Sequence, residues 1–404
     1  MTSVLLGTLA LLPGLPFVPF ALLAGATGWA ARELGKRAEA RTIARHAEEA
    51  AASAPPSITE EPIAETLAID PVRVEIGYAL LPLVNESGAE QRLDDQVRAL
   101  RRQMALDYGF VLPPVRILDN MALGANDYVI HVREAELGRG EARIDRLLVI
   151  NPDGRDLGLS GEETREPVFN LPALWIGREL REEAGFRGLT VVDPGTVITT
   201  HLTEIVKDNI ADLLTYAETS KLLSELHKDM EKLVADIVPS RISISGIQRI
   251  LQNLLSEGVS IRDLQTILEG IAEAAPLTHN LTQMTEHVRA RLARQISTSH
   301  MREGAIPILT LSGRWDQEFT ESIVGDGDER QLAMAPSSLQ GFIANVREAF
   351  DRVAGEGEIP CLLTNPTIRP FVRSIIERVR PATVVLSQNE VHPRARIRTL
   401  GMIG

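Results

Sequence analysis

The chain has 404 residues, with 55 Asp and Glu against 42 Lys and Arg and a formal net charge of −13. An acidic balance and an aromatic content of only 4% argue against a nucleic-acid partner, which would need a basic surface and stacking platforms. Cys361 is the one cysteine, which excludes a disulfide framework and a cysteine-based zinc cluster.

In chain order, Met1 to Ala31 carries no ionisable side chain. About 20 apolar residues suffice to cross a bilayer as a helix, so residues 1–34 are predicted to be a transmembrane segment. Pro13, Pro16 and Pro19 each remove a backbone donor, so the helix is expected to bend or break near Gly14. No basic residue precedes the apolar stretch, which a secretory signal peptide would require. The rival reading is an apolar arm buried by another subunit. Arg32, Lys36, Arg37, Arg41 and Arg45 follow directly, and flanking positive charge keeps that side of a span cytoplasmic. Residues 35–70 are then a flexible linker. They are Ala-, Pro- and Ser-rich, with no Lys or Arg between Glu48 and Asp70, and cannot bury enough apolar surface to offset ordering entropy.

The ordered body is predicted as an α+β region in several subdomains. In "VRVEIGY" the residues Val72, Val74, Ile76 and Tyr78 alternate, which predicts a half-buried strand. Leu93, Val97, Leu100 and Met104 recur at helical spacing, and Gly109 supplies the stop. "PPVRIL", "DYVIHVRE" and "ARIDRLLVI" read as strands. Residues 71–144 and 194–213 form a first α/β subdomain, and 145–193 a turn-rich insertion containing a short predicted helix, "LPALWIGRELREEAG". Pro194 and Gly195 precede a long helical region, and Ser245 and Ser260 are candidate N-caps for later helices. Residues 214–295 are expected to be all-helical. Residues 296–404 return to strand and helix, with a right-handed parallel strand–helix–strand unit from "EIPCLLT" to "PATVVLS".

No catalytic constellation emerges. Gly35–Lys36 lacks the upstream glycine and following hydroxyl of a phosphate-binding loop, and in "LGLSGEE" Gly161 follows Ser160 directly, which is not a nucleophile elbow. No His pairs with another at i+3 or i+4, and "VGDGDE" lacks the ladder of a calcium loop. No cofactor and no metal are expected. The basic "HPRARIR" near the end reads as a charged edge strand, with a patch for an acidic partner as the alternative. In "REPVFNLPALWIGREL", Trp175 is read as core beside Leu171 and Leu174. Phe169 stands off that period, and core and docking anchor remain equally open for it.

The order of "LLPGLPFVPF", "VEIGYALLPLV", "DYGFVLPPVRILDN", "PVFNLPALWI", "TTHLTEIV", "LQNLLSEGVSIRDLQTILEGIAE", "NPTIRPFVRSIIE" and "VVLSQNEV" resembles the large export-gate (FHIPEP) family of the flagellar type III secretion apparatus, whose relatives serve virulence injectisomes. The resemblance implies a non-enzymatic, four-subdomain cytoplasmic region below an inner-membrane anchor, assembled as a nine-membered ring. It implies as partners the flagellar export chaperones with their substrates, the export ATPase complex and other export-gate subunits. It places chaperone binding at Glu166, Phe169 and Thr200, with Glu166 one methylene longer than the family's Asp, and ring arrangement at Gly77. Family members carry further spans upstream, so ion conduction is not carried over to this chain. Two readings compete: a purely structural ring component, and a membrane-linked hydrolase whose site the sequence does not display.

Overall fold

The computed structural model describes residues 69–404 except 86–91, 153, 155, 156 and 326–329, and without the side chains of Asn85 and Asp229. The expected span, 1–34, and all but the last two residues of the expected linker lie outside the described residues. Among the described residues no helix is long and apolar enough to cross a membrane.

The first sheet has the order β2–β1–β3–β4. Strand β1 (Val72–Ile76) buries Val72, Val74 and Ile76 on one face, as its alternation requires. It pairs in parallel with β2 (Val115–Asp119) and antiparallel with β3 (Asp127–Val132), which pairs antiparallel with β4 (Ala135–Glu141). The parallel pair needs a crossover. This is supplied by the short α1 (Pro82–Asn85) and by α2 (Leu93–Tyr108). Gly109 ends α2 at φ 84°, a left-handed conformation that costs glycine nothing.

A second sheet follows, wholly antiparallel: β5 (Arg146–Ile150), β6 (Gly161–Arg165), β7 (Pro172–Gly177) and β8 (Thr190–Val192), in the order β6–β7–β5–β8. The short helix expected over "LPALWIGRELREEAG" is corrected here. "PALWIG" is β7, and only α3 (Arg181–Phe186) is α-helical. Leu171, Leu174 and Trp175 satisfy a helical spacing, but Ala173 and Trp175 also alternate with Leu174 and Ile176. Those two pairs fall into separate cores on opposite faces of the sheet. Trp175 is core, as expected, but in a strand.

Eight helices follow: α4 (Pro194–Asp208), α5 (Ile210–Leu213), α6 (Tyr216–Ser224), α7 (Lys228–Ile237), α8 (Ile244–Ser256), α9 (Leu264–Ala274), α10 (Leu281–Arg291) and α11 (Ala293–Ser299). The predicted long helical region consists of three pieces, the last of them started by Thr215, whose side chain accepts from Glu218 N. The N-caps are Ser243 and Asp263 rather than Ser245 and Ser260. Their side chains reach the amides of Gly246 and Thr266, three residues on.

The last part contains β9 (Ile306–Leu311), α12 (Gly313–Ser322), the small antiparallel ribbon β10 (Ile323–Val324) and β11 (Gln331–Leu332), and α13 (Pro336–Gly355). It closes with β12 (Cys361–Thr364), α14 (Arg369–Val379), β13 (Val385–Ser387) and β14 (Ile397–Ile403). Its four-stranded sheet, β13–β12–β9–β14, is parallel throughout, and β14 lies at an edge.

One core runs continuously from the first sheet through the helices to Ile306, Ile308, Cys361 and Leu386 of the last sheet. At that junction five charged side chains gather. Arg289 and Arg369 are each 1% exposed and both bind Glu390, itself 1% exposed. Arg369 also reaches Glu286 at 2.5 Å and pairs with Glu257. Burial alone would raise Glu390, but Arg289 and Arg369 together outweigh it and hold the carboxyl below its ordinary value. The second sheet has small cores of its own, and Val197 of α4 packs with Leu148 and Trp175. This seats the β6–β7 hairpin beside α4.

Candidate docking site

The turn between β6 and β7 is "EPVFNL". Glu166 N donates to Leu171 O at 2.8 Å and closes it. Asn170 takes φ 55°, and Arg165 Nη1 donates to its carbonyl at 2.9 Å. Pro167 restricts the backbone between these anchors. The Glu166 carboxylate turns back into the loop. One oxygen accepts from Val168 N at 2.9 Å and the other from Phe169 N at 2.7 Å. Hydrogen bonds to a charged acceptor are the stronger kind, so this loop is braced from within.

The brace sets two unlike neighbours side by side. Glu166 is 5% exposed, whereas Phe169 is 64% exposed. The question left open for Phe169 is thereby answered: it is not core. Thr200 is exposed on α4 and immediately precedes His201, which is buried. Helix α4 is started by Asp193, whose side chain accepts from Thr196 N at 3.0 Å.

Next to Thr200, His201 enters a pair that no local pattern announces. Tyr128 Oη on β3 and His201 Nδ1 on α4 are 3.0 Å apart, with the rings edge-to-face. Burial pushes His201 below the ordinary histidine value, while the Glu166 charge pulls it the other way. Burial pushes the Tyr128 phenol well up, and Glu166 adds to this. Tyr128 and His201 are 73 residues apart in sequence, so only the paired fold brings them together.

Gly77 lies apart from this loop. Its φ of −69° is open to any residue, so conformation does not require glycine. Space does: a Cβ there would meet Gly124 O at 2.1 Å and Ala125 O at 2.6 Å. Gly77 N and Ala79 N donate to Asp127 O and Ala125 O, locking the loop after β2 against the end of β1.

A cavity of about 730 Å³ is lined by Asn151, Leu157, Glu163, Arg165 and Leu174 among others, and neither Phe169 nor Thr200 lines it. Among the described residues no group of three or more His, Cys, Asp or Glu is placed to hold a metal ion.

A flagellar biosynthesis protein, FlhA, of Caulobacter vibrioides is 53% identical over 404 residues, which is all of this chain and 57% of that relative. The chain thus spans little more than half the relative's length. Among solved structures, the Chlamydia pneumoniae CdsV protein matches with a TM-score of 0.74 and 25% identity, over 83% of this chain and 98% of that one. The nonameric SctV-C of EPEC shares the fold, with a TM-score of 0.67 at 20% identity over 83% of this chain and 99% of that one. The sequence pattern of the FHIPEP family matches residues 1–396, and the chain belongs to that family.

Proposed function

We propose that this chain is a non-enzymatic docking platform of the flagellar type III protein export apparatus, receiving chaperone–substrate complexes at Phe169 for delivery to the export gate. The observation that carries this reading is the pairing of a largely exposed aromatic ring with a backbone amide clamped at 2.7 Å by a buried carboxylate. An apolar anchor on a stiff support loses little entropy on binding. Thr200 is the exposed polar orienter in this reading, and Glu166 acts chiefly by shaping the loop.

Residues 1–34 serve as the inner-membrane span, 35–70 as the tether, and the remainder as four cytoplasmic subdomains divided at 145, 194, 214 and 296. Copies associate into a ring, for which the nonameric SctV-C of the same fold is the support, with Gly77 affecting its arrangement. The export ATPase complex and other gate subunits are the further partners.

The test is titration calorimetry of a flagellar export chaperone with bound substrate against the full chain and its Phe169→Ala variant. Removing a hot-spot anchor costs about 2 kcal/mol or more, so a drop in affinity of at least tenfold is expected. Equal affinity of the two proteins, with circular dichroism unchanged, would sink the proposal.

A further inference from the structure

We infer that the outer edge of β14 is a docking surface for an acidic, extended segment of a partner protein, which adds to the four-stranded last sheet as a further strand. This surface and its occupant stand independently of the docking reading at Phe169.

The backbone supplies the first observation. Strand β14 is seven residues long and pairs with β9 alone. Ile306 N donates to Arg396 O at 2.8 Å where the ladder begins, and Ser312 N donates to Ile403 O at 2.9 Å where it ends. Alternate residues of a paired strand turn their amide and carbonyl to the same neighbour. Arg396 and Arg398 therefore face β9, and the backbone groups of Ile397 and Thr399 point away from it. Beyond the register shift between Thr399 and Gly401, Met402 takes the outward place. Among the described residues no hydrogen bond from another segment reaches these outward groups. Ile397 and Met402 are also 50% and 58% exposed.

Charge then selects the occupant. In a chain of net charge −13, the run "HPRARIR" that leads into β14 holds three arginines and no carboxylate. Arg398 is already matched by Glu358 at 2.7 Å. Arg394 and Arg396 are exposed, and among the described residues neither pairs with a carboxylate. Arginines on an edge repel the same edge of a second copy, because pairing would set like charges side by side. An acidic strand meets the reverse: two unmatched cations flank backbone groups that need partners. The third observation is a cavity of about 230 Å³ where α13 meets the end of β14, lined by Ala349, Arg352, Met402 and Ile403, with Glu348 at its rim. Side chains of an added strand alternate between the two faces of the sheet, and this cavity offers room for an apolar one beside Ala349 and Met402.

The probe is the fluorescent peptide acetyl-Glu-Val-Glu-Val-Glu-Val-Glu-amide, titrated against the full chain by anisotropy, with hydrogen exchange followed at the β14 amides. Saturable binding is expected, with protection rising several-fold at Ile397 and Thr399 and unchanged at Arg398, whose amide already faces β9. The same peptide with Lys for every Glu should not bind. Combining Arg394→Glu with Arg396→Glu should weaken binding about tenfold, the size that reversing two exposed charges carries. Proline is tolerated where an edge amide faces outward, so Thr399→Pro should keep the fold and lose the peptide. Should that variant not fold, a probe N-methylated along its whole backbone decides the same point, since it keeps its charge but cannot pair as a strand. The proposal is overturned by absence of saturable binding, or by equal binding of the Lys peptide. It is also overturned if the N-methylated probe binds as well as the parent, or if binding leaves Ile397 and Thr399 unprotected, which would make the site a charged patch only. Protection of those two amides that rises with protein concentration in the absence of peptide would assign the edge to a second copy and equally overturn it.

Discussion

Arg289 donates through Nε and Nη2 to one oxygen of Glu390, at 3.1 and 2.5 Å, across 101 residues of sequence. The other Glu390 oxygen is occupied by Ser387 and Arg369. This carboxylate therefore joins α10, α14 and the turn after β13, and it ties the helices to the parallel sheet. Replacing it takes the shared carboxylate from two guanidinium groups that are each 1% exposed, leaving Arg289 only Glu257 and Arg369 Glu257 and Glu286. Glu390→Gln is expected to destabilise the chain by about 3–5 kcal/mol, the usual cost of breaking a buried pair by removing one partner. Urea unfolding followed by tryptophan fluorescence measures it. A change under about 1 kcal/mol would mean that the cluster does not hold the junction.

Glu286 sits in the same cluster and behaves oppositely. Burial pushes its carboxyl up to about 7 against the pull of Arg369. A raised value means the folded state holds this proton more tightly than the unfolded chain does. Its stabilising contribution is fully present below the ordinary carboxyl value and is lost as pH rises through about 7. Glu286→Gln, which stays neutral, should match wild type at pH 4.5 and become the more stable protein by pH 8. The gap is bounded at about 3 kcal/mol by the size of the shift. Unfolding free energies of both proteins at several pH values check this, and parallel curves would contradict it.

The two aromatics of the hairpin should separate cleanly in stability. Trp175 is 2% exposed and packs with Leu148, Ala173 and Val197. Trp175→Ala should cost about 3–5 kcal/mol by removing buried volume. Phe169→Ala should stay within about 0.5 kcal/mol, as surface substitutions do. Thermal unfolding of the pair is sufficient. A large loss for Phe169→Ala would make the ring structural.

At Gly77, substitution meets backbone rather than a pliable side chain, since the nearest atoms are carbonyls of Gly124 and Ala125. Gly77→Val should displace the 121–126 loop at a cost of about 1–3 kcal/mol, the range for overpacking. Hydrogen exchange at the Ala79 amide, which donates to Ala125 O at 3.0 Å, should accelerate. Unaltered protection there would show that the loop absorbs the side chain.

Much of this architecture is written in local periodicity. The alternation of Val72, Val74 and Ile76, the α2 stripe of Leu93, Val97 and Met104 and the Gly109 stop each follow from residues within one element, and the β12–α14–β13 unit from the order of neighbouring elements. The family resemblance likewise rests on ordered short segments, and Phe169 lies in one of them, "PVFNLPALWI". These features depend only on side-chain spacing and backbone preference, which the chain carries whether folded or not.

Other features arise only when distant segments meet. "PALWIG" becomes a strand because β5 and β6 offer it hydrogen-bond partners on both sides, while its spacing alone also fits a helix. The outward position of Phe169 follows from no local period; it accompanies the inward turn of Glu166, which grips the amides of its own loop. The Tyr128–His201 contact and the Arg289–Arg369–Glu390 cluster link residues dozens to a hundred positions apart. Electrostatic coupling of that kind needs angstrom proximity and the exclusion of water, and both exist only after the loops between those residues have closed.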